Sequence, residues 1–171
     1  MKAQESSLPI RRKGRPTAEI RDILPLYDTG GPSYIGYRIV LTAKLFDRCI
    51  ARLLGEISEL SLPQWRVLGQ LGRLPSGTVR SLASGAAVDR SEVSRALREL
   101  EQLALAERHE NPQDLRSPNS VITASGRGTY QRIRKPISQF ISGLVADVEP
   151  ADLEAANRAL WVIASGCLDQ L

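Results

Sequence analysis

Residues 88–101 read VDRSEVSRALRELE and combine polar and apolar side chains at helical spacing. At about 100° of rotation per residue, Val93, Leu97 and Leu100 fall on one side of a helix. The serines and arginines fall on the opposite side. The stretch therefore predicts an amphipathic helix with one packing face and one polar face. We name the polar face the Ser/Arg face; it consists of Ser91, Ser94, Arg95 and Arg98.

Two interpretations of this helix are open from its own residues. Most helices of this kind simply expose a solvated face, whereas a helix that enters the major groove of DNA presents arginines that bind guanine edges. Asp89 and Glu92 stand three residues apart, as in a capping box, and predict where the helix begins. A short helix before it and a basic hairpin after it favour the DNA interpretation.

Composition limits the class of protein. The chain has 171 residues, of which 42% are hydrophobic, enough for one core of ordinary size. It has no long apolar run and no apolar region near its N-terminus, so we expect a cytoplasmic protein without a membrane span. Two cysteines far apart and one histidine make a zinc site or a disulfide framework improbable. We expect no metal and no cofactor.

The basic charge is unevenly distributed. Residues 1–16 hold five basic side chains and one acidic one, whereas residues 136–171 hold one basic and five acidic ones. Such polarity indicates a polyanion that docks on one face of the protein. Chance distribution of solvated charges is the competing explanation.

The order of elements predicts a mainly α fold with a small β-hairpin wing (α+β). A long helix is followed by three short helices, a hairpin and two long helices, which is the order of a winged helix-turn-helix unit between long N- and C-terminal dimerisation helices. We expect an extended basic arm over 1–32 and one domain over 33–171. Within that domain we place dimerisation helices at 33–60 and 124–171 and the winged unit at 61–123.

The segment NPQDLRSPNSVITASG, residues 111–126, carries a resemblance to a known family. Asp114 and Arg116 match an Asp-x-Arg wing motif, and Ile122, Thr123 and Gly126 match the Leu-Thr-x-x-Gly element that follows it. Over about residues 33–171 the chain resembles the MarR family of bacterial winged helix-turn-helix transcription regulators.

The resemblance implies a homodimer whose two winged helices bind a pseudo-palindromic DNA operator. Arg116 would enter the minor groove from the wing, with Asp114 orienting its guanidinium. Many family members have Gly where Ala104 stands; Ala is a poorer left-handed residue, so we expect a different turn into the wing. The DNA-contacting residues predicted in this part of the chain are Arg80, Arg90, Ser91, Ser94, Arg95, Arg98, Asp114 and Arg116.

The N-terminal arm contains RRKGRP at residues 11–16. A Gly-Arg-Pro core with basic neighbours resembles the AT-hook, a peptide that lies in narrow A·T-rich minor grooves. Arg12, Lys13 and Arg15 are therefore further candidates for DNA contact. A merely solvated basic tail is the alternative.

Family regulators commonly respond to small molecules, often aromatic acids or their thioesters. An arginine beside aromatic rings suits an anionic aromatic ligand, here an aromatic acid or its CoA thioester. Each of these residues could equally belong to the core, to an interface or to a surface ion pair. The candidate ligand-binding residues are Tyr34, Tyr37, Arg38, Trp65 and Tyr130.

The most specific expectation is a repressor that its ligand releases from DNA. An architectural DNA-binding protein with low sequence specificity, and a winged protein-binding module without DNA affinity, are alternatives. A cysteine-based redox sensor is another, although Cys49 and Cys167 fall on apolar stripes where burial would make them unreactive. We expect no enzyme, since His109 stands alone and no nucleophile or phosphate-loop motif accompanies it.

Overall fold

The computed structural model describes residues 34–111, 114 and 117–170. It is mostly helical with one two-stranded antiparallel sheet, which confirms the predicted fold class. The N-terminal arm lies outside the described residues, so the predicted domain boundaries stay predictions. In chain order the elements are α1 (Ile35–Ile57), α2 (Leu62–Arg73), α3 (Val79–Ala86), α4 (Arg90–Gln102), β1 (Ala106–His109), β2 (Asn119–Ile122), α5 (Ala124–Leu144) and α6 (Pro150–Leu168).

The chain divides into two compact units between Ile137 and Ser138, inside α5. In the first unit, α2, α3 and α4 pack on one another, and the sheet packs on α2 and α4. Burial of each large aliphatic side chain contributes about 1.5–3 kcal/mol, so this cluster is the main source of stability. Its most deeply buried side chains are Val67, Leu68, Leu71, Leu82, Val93, Leu97 and Leu100, and Leu54 of α1 and Ile133 of α5 are buried to the same degree.

Side-chain caps determine where α2 and α3 begin. The Ser61 hydroxyl accepts from the Gln64 amide at 3.4 Å, and Gln64 Oε1 accepts from the Ser61 amide at 2.7 Å. Thr78 and Ser81 form the same reciprocal pair at the start of α3. Each cap supplies an acceptor for an amide that the first helical turn leaves without a partner.

The capping box predicted for α4 is wrong. Asp89 is the residue before the helix, as expected, but its side chain makes no capping hydrogen bond. A tight turn orients the start instead: Ala87 has φ 52°, and the Val88 amide donates to the Ala83 carbonyl at 3.4 Å. Asp89 is exposed, so water satisfies the first amides of α4 at little cost.

The loop before α3 adds a short backbone pairing to the sheet, which the sequence pattern did not predict. β1 and β2 pair in the register Ala106↔Ile122 to His109↔Asn119. On the other edge of β2, Gly77 and Ser120 exchange both backbone hydrogen bonds, at 2.9 and 2.8 Å. The loop before α3 is therefore tied to the wing, and β2 begins directly after Pro118.

Thr123 joins three elements. Its hydroxyl donates to the Ala104 carbonyl at 2.7 Å and accepts from the Gly126 amide at 2.9 Å, so Thr123 caps the start of α5. Gly126 approaches the same turn so closely that a Cβ there would lie 1.9 Å from the Leu105 carbonyl oxygen. The Thr-x-x-Gly spacing thus encodes a hydrogen-bonded junction between the end of α4, the wing and α5.

The second unit contains the end of α5 and the whole of α6. α5 continues through Pro136 to Leu144. None of the residues of α6 is buried within the chain, and Trp161 is 71% exposed. Across the described residues, no helix combines the length and the apolar character that crossing a membrane requires.

Substitution of Gly126 tests the junction. Gly126→Ala would push the new methyl group against the Leu105 carbonyl, and overpacking against rigid backbone costs about 3 kcal/mol or more. Thermal unfolding should show a midpoint at least about 6 °C lower. Gly128→Ala on the same helix meets no atom within 4 Å and should raise stability by about 0.5–1 kcal/mol. Equal midpoints for the two variants would contradict the role of Gly126.

Candidate nucleic-acid interface

Helix α4 has the two faces that its sequence predicted. Val93, Ala96, Leu97 and Leu100 are each at most 2% exposed and pack into the core. On the opposite side, the structure brings the Ser/Arg face together as one continuous surface. Ser91, Arg95 and Arg98 are exposed and Ser94 is half-buried. The first turns of α4 therefore present hydroxyl and guanidinium groups to solvent.

The two arginines of the Ser/Arg face retain free donors. Arg98 Nε donates to the Ser94 carbonyl oxygen at 3.4 Å, so this side chain lies back along the helix towards its N-terminus. Arg95 makes no hydrogen bond or ion pair within the part of the chain that the structure describes. A guanidinium has five N–H donors in a fork that fits guanine or phosphate oxygens.

The acidic residues of α4 do not pair with the arginines of their own helix. An acid and an arginine one turn apart on a helix ordinarily pair, but here residues of neighbouring elements are the partners. Gln64 Nε2 donates to Glu99 Oε2 at 2.8 Å, and Arg108 on β1 pairs with Glu101 at 3.1 Å. These two contacts tie α4 to α2 and to the wing, and sequence reasoning did not select Gln64 or Arg108.

The expectation of a different turn into the wing is also wrong. Ala104 adopts the left-handed conformation with φ 55°, the conformation that a Gly would favour there. The Leu105 amide donates to the Leu100 carbonyl at 2.8 Å, which closes the end of α4. The conformation costs Ala about 1 kcal/mol, and the hydrogen bonds of the junction with Thr123 compensate for that strain.

The wing is described in part. The Asp114 amide donates to the Asn111 carbonyl and the Ser117 amide to the Asp114 carbonyl, both at 3.0 Å. Arg116 lies outside the described residues, so its pairing with Asp114 stays a prediction. Arg80 near the start of α3 and Arg90 at the start of α4 are both exposed. The arm residues Arg12, Lys13 and Arg15 also lie outside the described residues.

The basic side chains of α5 were not among the predicted DNA-contacting residues. Its first half exposes four basic side chains, and no acidic residue occurs between Asp114 and Asp147. A search for runs without acidic residues would have found it. The α5 basic surface adds to the positive potential of the winged unit. It consists of Arg127, Arg132, Arg134 and Lys135.

Two of the five candidate ligand-binding residues come together. The rings of Trp65 and Tyr130 stack with centroids 5.6 Å apart and an interplanar angle of 24°. Tyr130 is buried against Gly72, where a Cβ would lie 2.9 Å from its ring. Tyr34, just before α1, and Tyr37, on α1, are each about half exposed, and Arg38 is half-buried. The stack accounts for Tyr130 as a packing residue, and ligand binding by the set stays a prediction.

The cysteines differ from expectation. Cys49 and Cys167 are both exposed free thiols within the single chain, although the helical pattern predicted burial on apolar stripes. Within the described residues, no group of three or more His, Cys, Asp or Glu side chains could hold a metal ion.

Comparison with known proteins agrees with this geometry. The MarR family model matches residues 58–117, from the end of α1 to the wing. A MarR family regulator from Silicibacter pomeroyi has a similar structure, with 26% identity, a TM-score of 0.71 and coverage of 82% of this chain and 96% of that one. The resemblance to the MarR family is confirmed.

Two other solved structures have lower identity and support the fold alone. The regulator BpsR from Bordetella bronchiseptica, whose DNA binding is regulated by 6-hydroxynicotinic acid, has 16% identity, a TM-score of 0.63 and coverage of 74% of this chain and 98% of its own. PcaV from Streptomyces coelicolor, solved with its natural ligand, has 20% identity, a TM-score of 0.62 and coverage of 80% and 93%. A comparison with curated protein sequences gives no significant match.

Proposed function

We propose that the protein is a DNA-binding transcription regulator in which α4 enters the major groove. The observation that carries this proposal is the Ser/Arg face: an exposed Ser and Arg surface on a helix whose other side is anchored in the core. An anchored helix binds more tightly, because a mobile helix would have to be ordered on binding, and that ordering would cost free energy.

The dimensions of α4 suit this role. Ser91, Arg95 and Arg98 follow one another at helical spacing and span about 10 Å of helix axis at 1.5 Å per residue. The major groove admits one such helix, and an arginine that binds guanine O6 and N7 contributes about 1–3 kcal/mol of discrimination. The wing and the α5 basic surface would add contacts to phosphates, which hold register without reading sequence.

A homodimer would place two copies of α4 on a pseudo-palindromic operator. The support for it is the apolar surface that a single chain leaves exposed on α6, together with Val40 and Ile35 on α1. Large exposed apolar patches commonly mark the interfaces through which proteins associate. A second copy is the partner that the symmetry of a palindrome requires. The exposed apolar residues of α6 include Leu160, Trp161, Val162 and Leu168.

The effector would be a small aromatic acid or its CoA thioester, which releases a repressor from its operator. Support comes from Tyr34, Tyr37 and Arg38, which are close in sequence at the start of α1, and from BpsR, whose DNA binding is regulated by 6-hydroxynicotinic acid. An anionic ring would gain both a charge-assisted hydrogen bond and ring contacts. We place the protein in the cytoplasm, where DNA and such acids meet.

Removal of the two arginines tests DNA recognition. Operator duplexes selected by the wild-type protein from random sequences provide the probe. Arg95→Ala with Arg98→Ala should weaken operator binding by at least about 30-fold, the loss of two base contacts of more than 1 kcal/mol each. Binding to random duplex should fall far less, so the specificity ratio collapses.

The control removes the same charge elsewhere. Arg52→Ala with Arg158→Ala removes two exposed arginines of α1 and α6 that pair with Glu56 and Glu154. It should leave the specificity ratio unchanged. An unchanged operator affinity in the Arg95 and Arg98 double variant would contradict the proposal. A wild-type protein without preference between operator and random duplex would instead identify an architectural DNA-binding protein.

Sedimentation velocity tests the dimer. The wild-type chain of 18.8 kDa should sediment with about twice that mass at micromolar concentration. Trp161→Glu buries a charge in the proposed interface and should yield monomers, since an unpaired buried charge costs several kcal/mol. Gln170→Glu, beyond the end of α6, introduces the same charge and should leave the dimer intact. A monomeric wild-type protein would refute this assembly.

A thermal-shift experiment tests the effector class. Benzoate, 4-hydroxybenzoate and benzoyl-CoA serve as probes, with benzyl alcohol as the uncharged control. A binding acid at about 100 times its Kd stabilises the protein by about 2.7 kcal/mol, a shift of about 5–10 °C. Arg38→Ala should abolish the shift, and the same acid should weaken operator binding. If none of the acids or the thioester shifts the midpoint, the effector class is wrong.

A further inference from the structure

Gln64 makes two hydrogen bonds with opposite ends of one amide group. Its Oε1 accepts from the Ser61 amide at 2.7 Å, and its Nε2 donates to Glu99 Oε2 on α4 at 2.8 Å. The first bond belongs to the cap of α2 and orients the amide plane. The second bond therefore comes from a pre-oriented donor, and it is directed at a carboxylate 35 residues further along the chain.

Glu99 lies one helical turn after Arg95, the spacing at which an acid and an arginine ordinarily attract each other. The structure does not show that pair. The Glu99 carboxylate is bound to Gln64, and Arg95 is exposed without a hydrogen bond or ion pair to any described residue. One explanation accounts for both observations: the Glu99 carboxylate that Gln64 holds towards α2 is turned away from Arg95 and the Ser/Arg face.

We propose that Gln64 is a positioning residue for DNA binding, which holds the Glu99 carboxylate against α2 and so keeps Arg95 available to the DNA. The proposal rests on the proposed DNA-binding function. Without the Gln64 donor, Glu99 would turn to Arg95, and the guanidinium would have to break an ion pair before it could bind a base or phosphate. Gln64 thereby acts on the interface without belonging to it.

The residue type at position 64 matters for this role. A Glu there would still accept from the Ser61 amide and keep the cap of α2, because Glu serves as well as Gln in a capping box. It could not donate to Glu99, and its charge would repel that carboxylate towards Arg95. Gln64→Glu therefore separates the cap of α2 from the contact with α4.

The experiment measures operator affinity for a set of variants. Gln64→Glu should weaken binding about 5- to 10-fold, the partial loss of one arginine contact, with a thermal midpoint close to that of the wild type. Gln64→Glu with Glu99→Gln reverses donor and acceptor and should restore affinity to within about 2-fold, since the contact reforms. Wild-type affinity in Gln64→Glu, or no recovery in the double variant, would overturn the proposal.

A second comparison excludes a merely structural effect. In an Arg95→Ala background, Gln64→Glu should cause no further loss of operator affinity, because the group on which it acts is absent. A loss as large as in the wild-type background would overturn the proposal. Should Gln64→Glu unfold within the assay range, Gln64→Ala and Glu99→Ala form the same set, with recovery expected in their combination.

The outcome is separable from that of the proposed function. If the Arg95 and Arg98 double variant keeps full operator affinity, DNA recognition by α4 fails and the role of Gln64 fails with it. If that variant loses affinity but Gln64→Glu does not, only the positioning role is refuted.

Discussion

The junction at Thr123 is the constraint on which the winged unit depends. One hydroxyl group donates to the last turn after α4 and accepts from the first turn of α5. Gly126 permits this approach, since any side chain there would collide with the Leu105 carbonyl. Because the wing begins and ends at this junction, the direction of α4, the register of the hairpin and the start of α5 are linked.

The charges around α4 divide into two groups with different roles. Glu99 and Glu101 bind Gln64 and Arg108 and hold the helix to its neighbours. Arg95 and Arg98 are left to solvent, with Arg98 bound only to the backbone of its own helix. A helix with equal numbers of nearby acids and bases could neutralise itself through pairs one turn apart. Contacts from α2 and β1 prevent this, and the Ser/Arg face keeps its positive charge.

Much of the fold followed from local pattern. The faces of α4, the caps at Ser61, Thr78 and Thr123, and the position of the hairpin each depend on residues within a few positions of one another. The errors have a different origin. Asp89 has the residue type of a cap without forming one, and Ala104 adopts a conformation that its own preference disfavours. In both cases neighbouring turns supply hydrogen bonds that the local sequence does not reveal.

The sequence by itself determined the order of elements, the apolar side of each helix and the Ser and Arg content of the face opposite the core. Periodicity and capping chemistry act over one or two helical turns, so they can be read along the chain. Only the tertiary structure decided which partner each charged or aromatic side chain takes. Glu99 binds Gln64 rather than Arg95, and Trp65 stacks on Tyr130, because packing brings together residues that are 35 or more positions apart. The fold, and not residue type alone, decides which of several possible partners a side chain meets.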